Sequence, residues 1–475
     1  MLLGPHREAH RCWSIQALCL LVLSADVASA QEKTDGGVAV YKRMDELELR
    51  DTGQGPRLTM PLQIAGSAGL KVAFIARADG GITTVPLNMF DGRAKDNTMP
   101  KADAWVDTSW RPILYHCDRF RYNTGALDST IGSDIAYENL NFYGPPTPGN
   151  QGVLSIRNLV IYRGEDVEPP EAPSGLAATV EAGGVRLSWG APRDNIGVAV
   201  YVISRATEKG RFVKIAETSV PSYMDTAPTA GANRYRVLAA DFQNNLSSWS
   251  ENVATQVGTS GPPARPTDYE ADRLGYASEI RRIHASGRGK VVKGRALEFG
   301  DSLSGALLYQ LFAEAAFGRY TVEPRGRAGW TSRQGTTVIA QDLDEINPEF
   351  CLILYGTNND KSRGALGGAM DDLVAIARAC AQHGAVPIVA TIPPRGFTDP
   401  QSQPEADYNA ALIKTCREKR IPIAYIFEEL QQQPDRRKFL DTDGVHWRGD
   451  AFTLTAKVWK QAMEQVTFVL LDRPD

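Results

Sequence analysis

The sequence predicts a multidomain chain: two β-sandwich regions, then an α/β/α domain built on a parallel sheet. Three observations predict it. Strand-like segments punctuated by Gly, Pro, Asn and Asp, with no long helical period, fill residues 31–258. Two Pro-rich seams, "EDVEPPEAPSG" at 165–175 and "GTSGPPARPTD" at 258–268, have a composition that resists helix and sheet alike. Beyond the second seam, near-continuous apolar runs alternate with helical ones, as parallel strands covered on both faces do. At 475 residues the chain is too long for one ordinary domain.

Residues 1–30 read as a secretory signal peptide. Arg7 and Arg11 make a basic n-region, "ALCLLVLSADV" is a short apolar core, and "ASA" at 28–30 is a small-residue cleavage site. Cys19 lacks the small residues that would precede a lipidated cysteine. The competing reading is an uncleaved anchor, but the apolar run is short for a bilayer. The expected product starts at Gln31, is extracellular or periplasmic, and keeps no transmembrane anchor. Net charge is −4 and no Lys/Arg block stands out, so neither nucleic acid nor an anionic membrane is an expected partner.

Residues 31–164 carry "LKVAFIARA", "TVPLNMF" and "GVLSIRNLVIYRG", the strands of a β-sandwich. The last run resembles the closing strand of jelly-roll modules appended to carbohydrate-active enzymes. That resemblance implies a carbohydrate-binding module. Trp105, Trp110, Tyr115, Tyr122, Phe142 and Tyr143 are the aromatics able to stack on sugar rings, and each has a plain core role as the alternative.

Residues 165–258 resemble a fibronectin type III domain through "APSGLAAT", "GGVRLSWGAPRDNIGVAVYVISR" and "NRYRVLAADFQNNLSSWS". Trp189 matches that family's core tryptophan and Tyr235 the tyrosine of its later strand. The resemblance implies a seven-strand spacer. Residues 259–268 form a linker.

Residues 269–475 predict strands at "RALEF", "YTVEPR", "FCLILYG", "VPIVATIPP" and "IPIAYIF". Helical runs at "SGALLYQLFAEAAFG", "ALGGAMDDLVAIARACAQHG", "EADYNAALIKTCREKR" and "DAFTLTAKVWKQAMEQV" separate or follow them. Cys117, Cys351, Cys380 and Cys416 are too few for a disulfide framework in so long a chain. They read as buried free thiols, with a Cys380–Cys416 bridge left open. No His/Cys cluster has zinc spacing.

Sites in such a sheet lie at the carboxyl ends of the strands. "GDSLS" (300–304) follows the first strand, "GRAGWTS" (326–332) the second and "GTNND" (356–360) the third, with "DTDGVHW" (441–447) near the end. A serine hydroxyl is a weak nucleophile until a base takes its proton. His446 has Asp443 three residues before it, and that carboxylate suits fixing the imidazole tautomer. His116 lies in another domain, His284 in a basic stretch and His383 at a helix end. Developing negative charge on a carbonyl oxygen needs donors, and Ser302 N–H, Gly329 N–H and the Asn358 amide can supply them. Singly, Ser302 reads equally as a helix cap and Asp443-Gly444 as a turn.

The four loops, in this order and spacing, resemble the SGNH (GDSL) hydrolases over about residues 265–470. The resemblance implies Ser302 as nucleophile, Gly329 and Asn358 as oxyanion donors beside Ser302 N–H, and Asp443 and His446 completing the triad. It also implies a mechanism that needs no metal and no cofactor. One position departs: the third block commonly reads Gly-x-Asn-Asp, and Asn359 replaces that Asp here, with Asp360 one place later.

The expected function is a secreted serine esterase acting through an acyl-enzyme on an O-acetylated polysaccharide. The alternatives are a lysophospholipase or thioesterase and a non-catalytic glycan-binding adhesion protein. Trp330 and Trp447 flank the site loops, either as a sugar-facing wall or packed beneath them. The loop 391–407 shapes the site's edge, with Arg395 placed to meet an anionic group.

Overall fold

The structure, a computed structural model, describes residues 33–35, 37–82, 84–90, 101–120, 136–144, 146–207, 212–258, 268–304 and 320–471. The expected signal peptide, most of the 259–268 linker, Tyr122 and nearly all of the helical run 304–318 lie outside the described residues, as do the side chains of Trp105 and Tyr143. Among the described residues, no helix is long and apolar enough to cross a membrane.

The first β-rich region contains β1 (Lys33–Asp35), β2 (Val38–Arg50), β3 (Arg57–Ala65), β4 (Leu70–Asp79), β5 (Thr84–Phe90), β6 (Lys101–Trp105), β7 (Arg111–His116), β8 (Ala136–Tyr143) and β9 (Val153–Arg163). One sheet runs β1-β2-β9-β4-β7 and the other β3-β8-β5-β6, antiparallel throughout. Val72, Phe74, Val85, Leu87 and Ile161 fill the space between them.

Two of the aromatics considered as sugar platforms belong to that core. Tyr115 is buried with its hydroxyl on the Val85 carbonyl, and Phe142 is buried edge-on to Phe74 at 5.3 Å. Trp110 lies under the Arg157 and Arg77 guanidiniums, 4.0 and 5.0 Å from its ring centroid. Strand β4 is buried on both faces: Ala73 and Ile75 on its outer face pack with Ile196, Ala199 and Phe242 of the next region.

The second region has β10 (Ser174–Glu181), β11 (Gly184–Gly190), β12 (Val198–Thr207), β13 (Val213–Thr218), β14 (Ser222–Asp225), β15 (Gly231–Asp241) and β16 (Val253–Val257). They form a three-stranded sheet, β10-β11-β14, and a four-stranded one, β13-β12-β15-β16. Strand β11 alternates strictly, turning Val185, Leu187 and Trp189 inward. Trp189 meets Tyr201 at 5.3 Å, and the buried Tyr235 hydroxyl donates to Asp225 Oδ2 at 2.8 Å. Arg205 Nη1, 2.6 Å from the same oxygen, balances its charge.

The third region opens with a helix that periodicity does not announce, α1 (Asp268–Gly287). Its sequence is polar, and a narrow stripe of Tyr276, Ile280 and Ile283 joins the core. Then come β17 (Val292–Gly300), β18 (Thr321–Gly326), α2 (Ser332–Gly335), α3 (Ile339–Ile346) and β19 (Pro348–Leu354). They are followed by α4 (Leu366–His383), β20 (Val386–Ala390), α5 (Gln403–Lys419), β21 (Ile423–Ala424), α6 (Ile426–Gln431) and α7 (Gly449–Leu471). The predicted strand "IPIAYIF" is cut short, because its last residues enter α6.

The sheet order is β18-β17-β19-β20-β21, every pair parallel. Every residue of β19 is buried, so both faces of the sheet are covered there. The strand order reverses between β17 and β19, the switch point beside which sites lie in such sheets. Gly300 pairs with Gly326 on one side and Leu354 on the other, so the first three loops leave the sheet at one level. Cys117, Cys351, Cys380 and Cys416 are buried thiols and form no disulfide among the described residues, and burial pushes the Cys351 thiol well up.

Candidate active site

Gly300 ends β17 where only a hydrogen fits. A Cβ there would lie 2.3 Å from the Leu354 carbonyl oxygen and 2.3 Å from Ser304 Oγ. The tight exit leads into a single 3-10 turn, Ser302–Ser304. Asp301 caps this turn: its Oδ1 accepts the Leu303 N–H at 3.0 Å. Ser302 therefore does not spend its hydroxyl on the cap. Its Oγ lies 3.1 Å from His446 Nε2.

His446 is held by Asp443 through two kinds of contact. Its Nδ1 is 2.6 Å from Asp443 Oδ2, while Oδ1 accepts the Val445 and His446 N–H groups at 2.9 and 3.0 Å. These bonds, the imidazole first, hold the Asp443 carboxyl down at about 2. The turn is closed by Gly444 N–H on the Asp441 carbonyl at 2.8 Å, with Gly444 at φ +67°. Asp443 and His446 are about half exposed, so the pair faces solvent.

The glycine and asparagine loops are tied to this centre and to each other. Arg327 N–H donates to the Gly300 carbonyl at 2.9 Å, anchoring the turn in which Gly329 sits exposed at φ +75°. Asn358 Nδ2 donates to the Trp330 carbonyl at 3.1 Å, which orients the amide. Asn359, at the position that departs from the usual aspartate, clamps the same loop. It accepts Ser332 N–H at 3.1 Å and donates to Ser332 Oγ at 2.7 Å, and Ser332 Oγ lies 3.4 Å from Asp372. An amide fits here because it offers a donor and an acceptor to one buried serine.

Three residues considered for substrate contact fall in different environments. Trp447 is 6% exposed and meets Phe452 edge-on at 6.0 Å, packed beneath the histidine loop and not forming a wall. Trp330 is half-buried with the Arg327 guanidinium 5.2 Å from its ring centroid. Arg395 is exposed, next to Gly396, whose N–H donates to the Gly444 carbonyl at 2.7 Å. The 391–402 loop thus rests on the turn that carries His446.

Two residues that motif reading passed over belong to the same framework. Asp301 is fully buried, and burial pushes its carboxyl up to about 6 against the opposing pull of Leu303 N–H, Thr357 and His446. Lys361 Nζ donates to the Thr357 carbonyl at 2.9 Å and pairs with the buried Glu405 at 3.5 Å, bracing the asparagine loop. The letters "GDS" and "NNDK" name both, but nothing in a single sequence shows which way their side chains turn.

Comparison with known proteins bears on this region. The sequence model of the GDSL-like Lipase/Acylhydrolase family matches residues 285–450. A GDSL-like lipase structure from Bacteroides thetaiotaomicron is 18% identical, with TM-score 0.31, covering 40% of this chain and 98% of that one. A family 3 carbohydrate esterase structure from Clostridium thermocellum is 16% identical, with TM-score 0.30, covering 37% and 98%. Among curated proteins, an alpha-amylase from Niallia circulans is 44% identical over 87 residues, 18% of this chain and 6% of that one. The chain spans only 6% to 18% of the length of the curated relatives it matches. Over residues 285–450 this chain thus resembles the GDSL-like lipase/acylhydrolase family.

Proposed function

We propose that the C-terminal region is a serine esterase working through an acyl-enzyme. One observation carries this reading: the continuous chain from Asp443 through both nitrogens of His446 to Ser302 Oγ. Ser302 Oγ attacks the ester carbonyl carbon as its proton passes to His446 Nε2. The oxygen that gains charge meets Ser302 N–H, Gly329 N–H and the free N–H of the Asn358 amide. The bond to the alkoxide breaks, and that oxygen takes the proton from His446. Water then attacks the acyl-serine, giving its proton to His446, and the acid leaves as Ser302 recovers its own.

The substrate we propose is an O-acetyl group on an exported polysaccharide. Stretches of this chain are shared with an alpha-amylase, a chitinase and an amylopullulanase, all named for action on polysaccharides. We read residues 31–164 as a jelly-roll-like module that meets glycan. We read 165–258 as a fibronectin type III spacer, supported by the three-plus-four strand split and the inward Trp189 and Tyr235. Residues 1–30 act as the export signal in this account. Trp330 and Arg395 are the contacts proposed at the site's edge, Arg395 for an anionic group.

An acyl-chain-length series on model esters, followed by acetate release from acetylated xylan, tests the substrate. Two-carbon esters as best substrates, with acetate released, are expected. A preference for long acyl chains would instead mark a lysophospholipase or thioesterase.

A further inference from the structure

Far from the serine site in sequence, Asp166, Asp194 and Asp241 each bring one carboxylate oxygen to within 4.8 Å of the others. They come from separate places: the stretch after β9, the loop between β11 and β12, and the last residue of β15. Asp166 and Asp241 are buried, at 4% and 0% exposure. Like charges this close in a protein interior are costly unless something of opposite sign stands between them. Arg43 acts on Asp194 from one side, but its guanidinium donates to the Asn195 carbonyl. Among the described residues, no ion pair reaches any of the three carboxylates.

The hydrogen bonds account for part of the cluster only. Asp241 accepts from Gln243 N–H and from the backbone and side chain of Asn245, at 2.7 to 2.8 Å. Asp194 Oδ2 accepts Ile196 and Gly197 N–H at 3.0 and 2.6 Å. Asp166 Oδ1 accepts Glu168 N–H at 3.1 Å and Asn195 Nδ2 at 2.7 Å. Among the described residues, Asp166 Oδ2 and Asp194 Oδ1 are buried and find no donor.

Asn195 supplies an independent observation. It is 9% exposed, its Nδ2 donates to Asp166, and its Oδ1 finds no partner among the described residues. Such orphaned buried acceptors are rare. A proton can neutralise a carboxylate, but an amide oxygen calls for a donor or a cation.

We propose that Asp166, Asp194, Asp241 and the Asn195 amide oxygen form a calcium site. All the donors are oxygens, which select a hard cation over zinc or copper. Calcium takes six to eight oxygens in flexible geometry, whereas magnesium demands a near-ideal octahedron. Water completes the shell from the half-buried Asp194 side. The cation ties the segment after β9 to the second β-rich region, beside the apolar cluster of Tyr162, Ile196 and Phe242 that joins it to the first. Its role is to fix that junction and not to take part in ester cleavage.

The test is calorimetric titration of the full chain with calcium chloride, plus thermal unfolding in calcium and in chelator. One bound calcium is expected, with an unfolding temperature raised on the order of 5 °C at about 100 times the dissociation constant. Asp166→Asn and Asp194→Asn should each weaken binding about tenfold or more and remove the rise. Should the buried Asp166→Asn fail to fold, the half-buried Asp194→Asn carries the test alone. Turnover of a short ester at 25 °C should be equal in calcium and in chelator, which keeps this test separate from that of the esterase. No heat of binding and equal unfolding temperatures would overturn the proposal. An equal rise with magnesium would overturn the choice of calcium, and a calcium effect that survives Asp194→Asn would overturn the location.

Discussion

His446 Nε2 stands 3.1 Å from Ser302 Oγ although 144 residues separate them in the chain. The contact exists because the β17 loop and the turn before α7 meet over the same end of the sheet. Each end is fixed separately. Gly300 and the Asp301 cap set the serine, and Asp443 with Gly444 sets the histidine.

Asp443→Asn should lower turnover by about 10⁴ with little change in KM, because an amide stabilises the wrong imidazole tautomer. The native carboxyl is held at about 2, so it stays ionised as pH falls to 4. Any acidic limb in the activity profile above that pH must therefore come from another group. Steady-state kinetics from pH 4 to 9 on both proteins check this.

Asn358→Ala should cut turnover by about 10²–10³, the usual cost of one oxyanion donor. The side chain is exposed and, among the described residues, bonds the framework at the Trp330 carbonyl, so the circular dichroism spectrum should not change. An unaltered rate would remove Asn358 from the mechanism.

Asp301 links stability to pH with a definite sign. Burial raises its folded value to about 6, so the folded chain binds this proton more tightly than the unfolded chain does. Its contribution therefore improves as pH falls from 7 towards 4 and worsens as pH rises through 6. The unfolding temperature of the native chain, relative to Asp301→Asn, should rise between pH 8 and pH 4.5. A constant difference would contradict the buried-carboxylate account.

Two glycines of the site should respond differently to alanine. At Gly300 the new methyl meets the Leu354 carbonyl oxygen at 2.3 Å, so β17 and β19 must part, at a cost on the order of 3 kcal/mol or more. At Gly329 the methyl enters open space, and only φ +75° opposes it, for about 1–2 kcal/mol. Urea unfolding followed by helical circular dichroism compares the two, since the described α-helices all lie in the third region.

Much of this site was legible in the sequence, for a physical reason. Parallel strands covered on both faces read as apolar runs, and the loops that leave their carboxyl ends stand out as Gly, Ser, Asn, Asp and His against them. Orientation was not legible. Periodicity could not show that Asp301, and not Ser302, caps the turn, or that Asn359 grips Ser332 with both ends of its amide. Trp447 read equally as wall or packing until Phe452 decided it. Helix α1 escaped notice because three apolar residues on a polar helix leave a weak pattern. The calcium cluster unites segments 75 residues apart, from Asp166 to Asp241, each of which reads alone as a turn.

The most direct test of the central claim is covalent labelling with a serine-reactive fluorophosphonate, the modified peptide located by mass spectrometry. One label per folded chain is expected, on Ser302, with ester hydrolysis lost in step and no label on Ser302→Ala. An unlabelled but folded native chain, or a Ser302→Ala variant that still hydrolyses esters at the native rate, would contradict it.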